Sequence, residues 1–442
     1  MPTTEARTGE DLWLQTFLSE ERFCPTEPKT LDQTGLPLSV IESLVLKHLA
    51  IVGTASGRGI AESICLPFRI LEEVFGVLRT RQLLVHSGAA AFNDYYYMLT
   101  DQGQQRAKAF QQACAYCGPA PVPFREYVIA VEAQCISTES PTDKELAEAF
   151  ADISVDEQLF DMIGPAVNSG AGMFLYGHPG NGKSTLARSI TLCFGQDIWI
   201  PRVILEDTQL VKLFDPSCHR EVVEDNSGIL KGQQYDRRWV RIRRPTVAVG
   251  GELTMDNLEI RHDPVSNVSE APLQLKSNCG CLLIDDFGRQ RIEPSELLNR
   301  WIVPLEAGYD FLTLATGKKL QVPFEQLIIF STNLEPRELV DEAFLRRIPY
   351  KIELTDPSEE EFHRLFELYA GRLGCEYRRQ VVAYVLDRYY RPAGRALRRC
   401  HPRDLLKQVK NYCKYKRIAF EMRPDYFDKV AVSYFAVVFG NE

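Results

Sequence analysis

The eight residues Gly177-His178-Pro179-Gly180-Asn181-Gly182-Lys183-Ser184 constrain the fold of this chain more than any other feature. They follow the apolar run Met173-Phe174-Leu175-Tyr176 and lead into an amphipathic stretch from Ser184 to Ile190. A strand, a glycine-rich turn and a helix start, in that order, make up the phosphate-binding loop G-x-x-x-x-G-K-[ST]. Its glycines let the backbone wrap so that N–H groups converge at the positive end of the helix. On this reading Gly177, Pro179, Gly180, Asn181, Gly182, Lys183, Ser184 and Thr185 form a nucleotide-binding loop. Lys183 reaches the β- and γ-phosphates, and the Ser184 hydroxyl ligates Mg²⁺. ATP and Mg²⁺ are the expected cofactors.

Such a loop needs a second element, an apolar strand ending in a carboxylate, and Cys281-Leu282-Leu283-Ile284-Asp285-Asp286 supplies it 102 residues after Lys183. Asp285 is expected to hold the Mg²⁺ water shell, and Asp286 to orient or deprotonate the attacking water. A third strand, Leu327–Ser331, runs into Thr332 and Asn333, which would lie beside the γ-phosphate in a parallel sheet. The remaining strand candidates are Ile198–Ile204 and Tyr350–Leu354. Apolar strands alternating with helical stretches imply an α/β core with a parallel sheet.

The chain has 442 residues, 51 basic and 60 acidic, for a net charge of −9. That balance argues against a protein that coats nucleic acid, which rests on a large basic surface. No apolar run approaches the ~20 residues that span a bilayer. The start MPTTEARTGED lacks the basic and apolar regions of a signal peptide. Twelve cysteines are too sparse for a disulfide scaffold in a chain of this length. A cytoplasmic protein with no membrane insertion is expected.

Five segments follow from the pattern. Residues 1–35 read as a polar arm with one short helix around Leu12–Leu18. Residues 36–118 hold three helices, two extended pieces around Ser87–Ala91 and a further helix from Thr100-Asp101, an order that resembles a winged helix–turn–helix. Its stretch Leu38–Phe110 carries seven basic and six acidic residues, a thin footprint for DNA. Glu72 and Glu73 fall midway along the would-be recognition helix, where phosphate would repel them. Docking of a protein is preferred there, with DNA as the alternative. Residues 119–145 are a linker and helix, 146–356 the α/β core, and 357–442 a separate helical domain.

Beyond Asn333 come Asp341-Glu342-Ala343-Phe344-Leu345-Arg346-Arg347-Ile348 and, in the helical domain, Cys400-His401-Pro402-Arg403-Asp404-Leu405-Leu406. With the two earlier motifs, these resemble the AAA+ ATPase family in content and order over about residues 145–420. The resemblance implies a P-loop AAA+ core with a parallel sheet, a C-terminal helical lid and an N-terminal winged-helix-like domain. It makes Asn333 the first sensor, Arg346 and Arg347 the candidate arginine fingers, and Arg403 the second sensor. Most members carry Asp-Glu where this chain has Asp285-Asp286; the shorter side chain implies slower turnover. The resemblance further implies ATP hydrolysis in a homo-oligomeric ring, a hexamer by preference, acting on a macromolecule.

Two additions to the core stand out. Asp236–Pro245 holds five arginines around Trp239, read as a pore or partner surface or as a half-exposed strand with a basic face. Asp310–Pro323 alternates Leu312, Leu314, Leu320 and Val322 about Thr316-Gly317-Lys318, a β-hairpin. A hairpin before the first sensor and an insertion before Asp285 resemble the clade of MoxR-type chaperones and enhancer-binding activators, whose loops line a ring pore. The whole chain is also similar to bacterial AAA+ ATPases labelled chaperone-like and linked to pilus assembly. Protein remodelling is the preferred function. The alternatives are a DNA-dependent ATPase or transcription regulator, and a nucleotide-gated scaffold that barely hydrolyses. Cys114-x-x-Cys117 and Cys279-x-Cys281 read as incidental thiols, since a zinc site needs a second pair. Asp215 and His219 could pair across a turn, with a purely structural turn as the preferred reading.

Overall fold

The computed structural model describes residues 23–151, 153, 157–195, 197–222, 235–340 and 342–436. The expected helix at Leu12–Leu18 lies outside them, as does Asp341.

The first unit runs α1 (Leu38–Val52), β1 (Thr54–Ser56), α2 (Gly57–Ile64), α3 (Phe68–Thr80), β2 (Leu84–Ala90), β3 (Asp94–Leu99) and α4 (Asp101–Ala113). Side-chain caps fix the starts of α2 and α4: Ser56 Oγ accepts from Gly59 N–H at α2, and Thr100 Oγ from Gly103 N–H at α4, both at 3.0 Å. The strands form an antiparallel sheet in the order β1-β3-β2. The three-residue β1 follows directly on α1, and the sequence reading did not anticipate it. The apolar stripe of α1 closes over Ile60, Leu71, Phe75 and Leu99 in one buried cluster.

Next come β4 (Val122–Pro123), α5 (Phe124–Ala133), α6 (Asp143–Ala149), α7 (Glu157–Asn168), β5 (Met173–Tyr176) and α8 (Lys183–Ile190). The long gap before Asp285 folds into β6 (Asp197–Pro201), β7 (Val203–Glu206), β8 (Gln209–Lys212), β9 (Trp239–Arg243), β10 (Thr246–Val249), β11 (Arg261–Asp263), β12 (Val268–Glu270) and α9 (Leu273–Ser277). The core ends with β13 (Cys281–Ile284), α10 (Pro294–Ala307), β14 (Tyr309–Thr313), β15 (Lys319–Pro323), β16 (Leu327–Ser331), α11 (Pro336–Leu339), α12 (Glu342–Leu345) and β17 (Tyr350–Glu353).

The central sheet has five parallel strands in the order β10-β13-β16-β5-β17. Alternate residues feed two separate cores. Met173, Leu175, Cys281, Leu283, Leu327 and Ile329 face one side, with Leu186 and Ile190 of α8. Phe174, Leu282, Ile284, Ile328 and Phe330 face the other, with Trp301 of α10. Burial on both faces explains why these strands are continuously apolar.

One expected strand of this sheet is corrected. Ile198–Ile204 is split between β6 and β7, which pair antiparallel with β9 and β8 respectively. The sheet position goes instead to β10, whose four residues Thr-Val-Ala-Val pair with Cys281–Ile284. A second, mixed sheet runs β11-β12-β8-β7-β4, and so takes in the Pro-rich connection at Val122–Pro123. The expected hairpin forms as β14 and β15. Its Leu312, Leu320 and Val322 are buried with Tyr127 and Val131 of α5, and its tip residue Lys318 pairs with Glu206 and Asp207.

The arginine strip is also corrected. Arg238 is only 1% exposed, bonded to Asp236 and to the carbonyls of Thr34 and Pro121. Arg244 is buried against Glu139 and the carbonyls of Gln134 and Cys279. These two guanidiniums fasten the interior, so the strip is no continuous basic face.

The last region is helical: α13 (Glu359–Leu373), α14 (Arg379–Val385) extended by a π-helical turn to Tyr390, α15 (His401–Lys416) and α16 (Pro424–Ala436). Ser358 and Glu361 form a reciprocal capping box at the start of α13. Phe362, Phe366, Leu405, Leu406, Val409 and Phe427 share one core. Among the described residues no helix is long and apolar enough to cross a membrane.

Candidate functional site

The carboxyl ends of β5, β16 and β13 lie side by side, and each delivers its motif to one place. From the loop after β5, the Lys183 ammonium donates to the carbonyls of Gly177 (2.8 Å) and His178 (3.0 Å) and to Asn333 Oδ1 (2.7 Å). Asn333 in turn donates through Nδ2 to Asp286 at 3.3 Å. Ser184 Oγ donates to Asp285 Oδ1 at 2.9 Å. Five residues chosen from sequence thus meet in one hydrogen-bonded constellation. Burial lowers the pKa of Lys183, and the carboxylates of Asp286 and Asp285 oppose that shift.

Glycine is required at two points of the loop. Gly177 has φ +127°, and a Cβ there would stand 2.5 Å from the Leu354 carbonyl oxygen. Gly180 has φ +87°, and its Cβ would stand 2.7 Å from Cys400 Sγ. Gly182, at φ +89°, caps α8, whose first residue is Lys183. Thr185 is exposed on the first turn of α8.

Asp286 holds a left-handed backbone, φ +51°, a region where Asp is tolerated better than most residues. Gln290, which the motif reading missed, supports that turn. Its Nε2 donates to the carbonyls of Asp285 (2.8 Å) and Asp286 (3.1 Å), and its Oε1 accepts from Gly288 N–H at 2.8 Å. The neighbouring strand ends are tied by Phe287 N–H to the Ser331 carbonyl and by Thr332 Oγ to the Phe287 carbonyl.

Asn181 is turned away from the loop mouth. It is 1% exposed and donates to the Leu354 carbonyl and to Asp356, while its Oδ1 accepts from Arg399 N–H. Its side chain therefore joins the loop to the helical region. The Cys400 N–H donates to the Gly180 carbonyl at 2.9 Å, and Arg398 pairs with Asp356. Burial opposes ionisation of Asp356, but Asn181 and Arg398 outweigh it and hold the carboxyl below its ordinary range.

Arg403, expected to read the nucleotide from the lid, is bonded to its neighbour Asp404 at 2.8 Å. The cation of the helical region whose charge bears on Lys183 is Arg398, five residues earlier. The only advance sign of it was the basic run around Leu397. Arg346 is exposed on the turn after α12, lining a cavity of about 880 Å³ with Tyr176, Arg337 and Glu353. Arg347 is tied to Glu306 of α10 at 2.6 Å.

The other sequence candidates are structural. Cys279 and Cys281 are buried, which pushes both thiols up to about 12. Asp215 N–H donates to His219 Nδ1 at 3.0 Å, closing the expected turn, and the Asp215 carboxylate accepts from Lys276. Among the described residues no cluster of three His, Cys, Asp or Glu side chains fits a resident metal.

A family model described as a domain of unknown function, DUF8689, matches residues 358–433, the helical region. No curated protein matches. Among solved structures, the chain is similar to NtrX from Brucella abortus, at 13% identity and TM-score 0.39 over 64% of this chain and 57% of that one. NtrX in complex with ATP gives 15% identity and TM-score 0.38, over 64% of this chain and 59% of that one. The RuvB Holliday junction branch migration motor of Thermotoga maritima gives 14% identity and TM-score 0.36, over 62% and 68%. This chain therefore spans under three-fifths of the NtrX chains it matches.

Proposed function

We propose that this protein is an ATPase of the AAA+ type that works as a homo-oligomeric ring, most simply a hexamer, and remodels a protein partner in the cytoplasm. The observation that carries the nucleotide reading is the bond of Lys183 to Asn333 at 2.7 Å, beside the bond of Ser184 to Asp285 at 2.9 Å. A buried ammonium, a glycine cradle and a hydroxyl–carboxylate pair are the donor set that MgATP needs. Gly177, Gly180 and Gly182 would leave room for the phosphates, Lys183 would hold the β- and γ-groups, and Ser184 and Asp285 would hold Mg²⁺. Bound Mg²⁺ would neutralise charge developing on the phosphates.

Asp286 is exposed at the mouth and oriented by Asn333, which suits a group that positions water. Its left-handed backbone keeps the short carboxylate beside Asn333, so hydrolysis is retained in this reading although Glu is the commoner residue. Arg346 is the better finger, because Arg347 is engaged by Glu306. Arg403 and Arg398 are the lid residues that would respond to nucleotide. The near-neutral α1–α4 unit, read as winged-helix-like, supports docking of a protein there rather than DNA.

Imaging with a non-hydrolysable ATP analogue tests the assembly. A closed ring with Arg346 at the subunit boundary is expected, and Arg346→Ala should lower turnover by roughly 10³-fold while ATP still binds. A monomer under those conditions, with Arg346→Ala hydrolysing normally, would refute the ring.

A further inference from the structure

The net charge of −9 conceals a separation. Residues 358–433 hold 17 basic and 10 acidic residues, so the helical region is positive and the rest of the chain strongly negative. Eight of those ten carboxylates are already in ion pairs: Glu359, Glu361, Glu376, Asp387, Asp404, Glu421, Asp425 and Asp428. The surplus cations have little acidic surface of their own to answer them.

They are also arranged. Arg403, Lys407, Lys410 and Lys414 recur at intervals of four, three and four residues along α15. At about 100° per residue they fall in a stripe roughly 60° wide, about 16 Å long at 1.5 Å per residue. Arg403 is committed to Asp404, and Lys410 to the Leu373 carbonyl. Lys407 and Lys414 are exposed, as are Lys416, the last residue of α15, and Arg417 just beyond it. Tyr415 stands among them with 80% of its surface open, and Lys416 lies over its ring. Complementing the helix dipole would need cations only in the last turn; Lys407 lies well before it.

We propose that the exposed C-terminal half of α15, with the turn that follows it, binds single-stranded nucleic acid, with Lys407, Lys414, Lys416 and Arg417 on the phosphates and Tyr415 stacking on a base. Basic grooves with exposed aromatic rings suit unpaired strands, because every base offers a π-face. A membrane surface is the poorer fit. The apolar side of α15 (Leu405, Leu406, Val409) is spent in the domain core and has nothing to insert. The other end of α15 touches the phosphate loop through Cys400 and Gly180. A rigid helix thereby joins the nucleotide site to the proposed strand contact, and its two ends cannot move independently. That coupling rests on the ATPase reading; the binding itself does not.

The test is fluorescence anisotropy of the full-length protein with a labelled 20-nucleotide oligo-dT across a salt series. About four phosphate contacts predict a log–log salt slope near −3 for a single strand. The triple variant Lys407→Glu/Lys414→Glu/Arg417→Glu should lose at least tenfold in affinity at 50 mM salt. Its basal ATPase rate and melting temperature should stay at wild-type values. Should it unfold, the milder Lys407→Gln/Lys414→Gln, expected to lose several-fold, decides the question. Tyr415→Ala should weaken oligo-dT more than a 20-base-pair duplex. The proposal is overturned by no wild-type binding at 50 mM salt, by folded charge variants that bind as wild type, or by binding to phosphatidylserine vesicles in place of oligo-dT. ATP binding measured in parallel separates a failure here from a failure of the nucleotide site.

Discussion

Replacing Asn333 by alanine removes a side chain that touches both Lys183 and Asp286. Its Oδ1 accepts from Lys183 at 2.7 Å, and its Nδ2 reaches Asp286 at 3.3 Å. A hydrogen bond to a charged group contributes about 1.5–3 kcal/mol, and the longer contact to Asp286 less. Lys183 keeps the carbonyls of Gly177 and His178, so the loop should stay formed and ATP should still bind. What is lost is the relative placement of Lys183 and Asp286 while phosphate charge develops. At about 1.36 kcal/mol per tenfold, the loss is roughly 10- to 150-fold in kcat. Phosphate release gives kcat, and titration with a fluorescent ATP analogue gives the affinity, expected to stay close to wild type because the loss falls on the transition state. The reasoning fails if kcat is unchanged, or if affinity collapses while kcat holds.

Other consequences follow from the same contacts. Gly177→Ala sets a Cβ 2.5 Å from the Leu354 carbonyl oxygen at φ +127°, and should abolish ATP binding and lower the melting temperature. Normal binding by that variant would mean the loop is conformationally free. Arg238→Met leaves the buried Asp236 carboxylate unpaired and should cost about 3–5 kcal/mol in denaturant unfolding, whereas a surface arginine would cost almost nothing. His401, bonded to the Tyr390 hydroxyl, is held by burial at a pKa of about 4. The unfolded chain takes up that proton near pH 6.5 and the folded chain does not, so stability should fall as pH drops from about 6.5 to about 4. His401→Gln should flatten that part of the melting-temperature profile; an unchanged slope would assign it to other groups.

Much of the site was legible because each motif is tied to a strand end. Lys183, Asp285 and Asn333 follow apolar runs that occupy neighbouring positions in one sheet, so sequence spacing translated into proximity. The second strand was misread because apolarity identifies a strand but not its partner. Ile198–Ile204 is the more apolar run, yet its residues pair outside the central sheet. The true sheet strand is four residues hidden behind Pro245. Charge was misread for the same reason. Nothing in Asp236–Pro245 reveals that Arg238 and Arg244 point inward, since their partners Thr34, Pro121 and Glu139 come from more than 100 residues away. The contact from the helical region was missed by a few positions: a motif anchored on His401-Pro402-Arg403 selects the helix start, while the cation whose charge bears on Lys183 precedes it at Arg398.

The most direct measurement is steady-state phosphate release from MgATP by the wild-type protein and by Lys183→Ala, with ATP affinity determined on the same samples. Lys183 closes the buried bond network on which the nucleotide reading stands. The wild type should hydrolyse ATP, and Lys183→Ala should lose both binding and turnover while remaining folded. Tight ATP binding retained by Lys183→Ala, or no hydrolysis by the assembled wild-type ring, would contradict it.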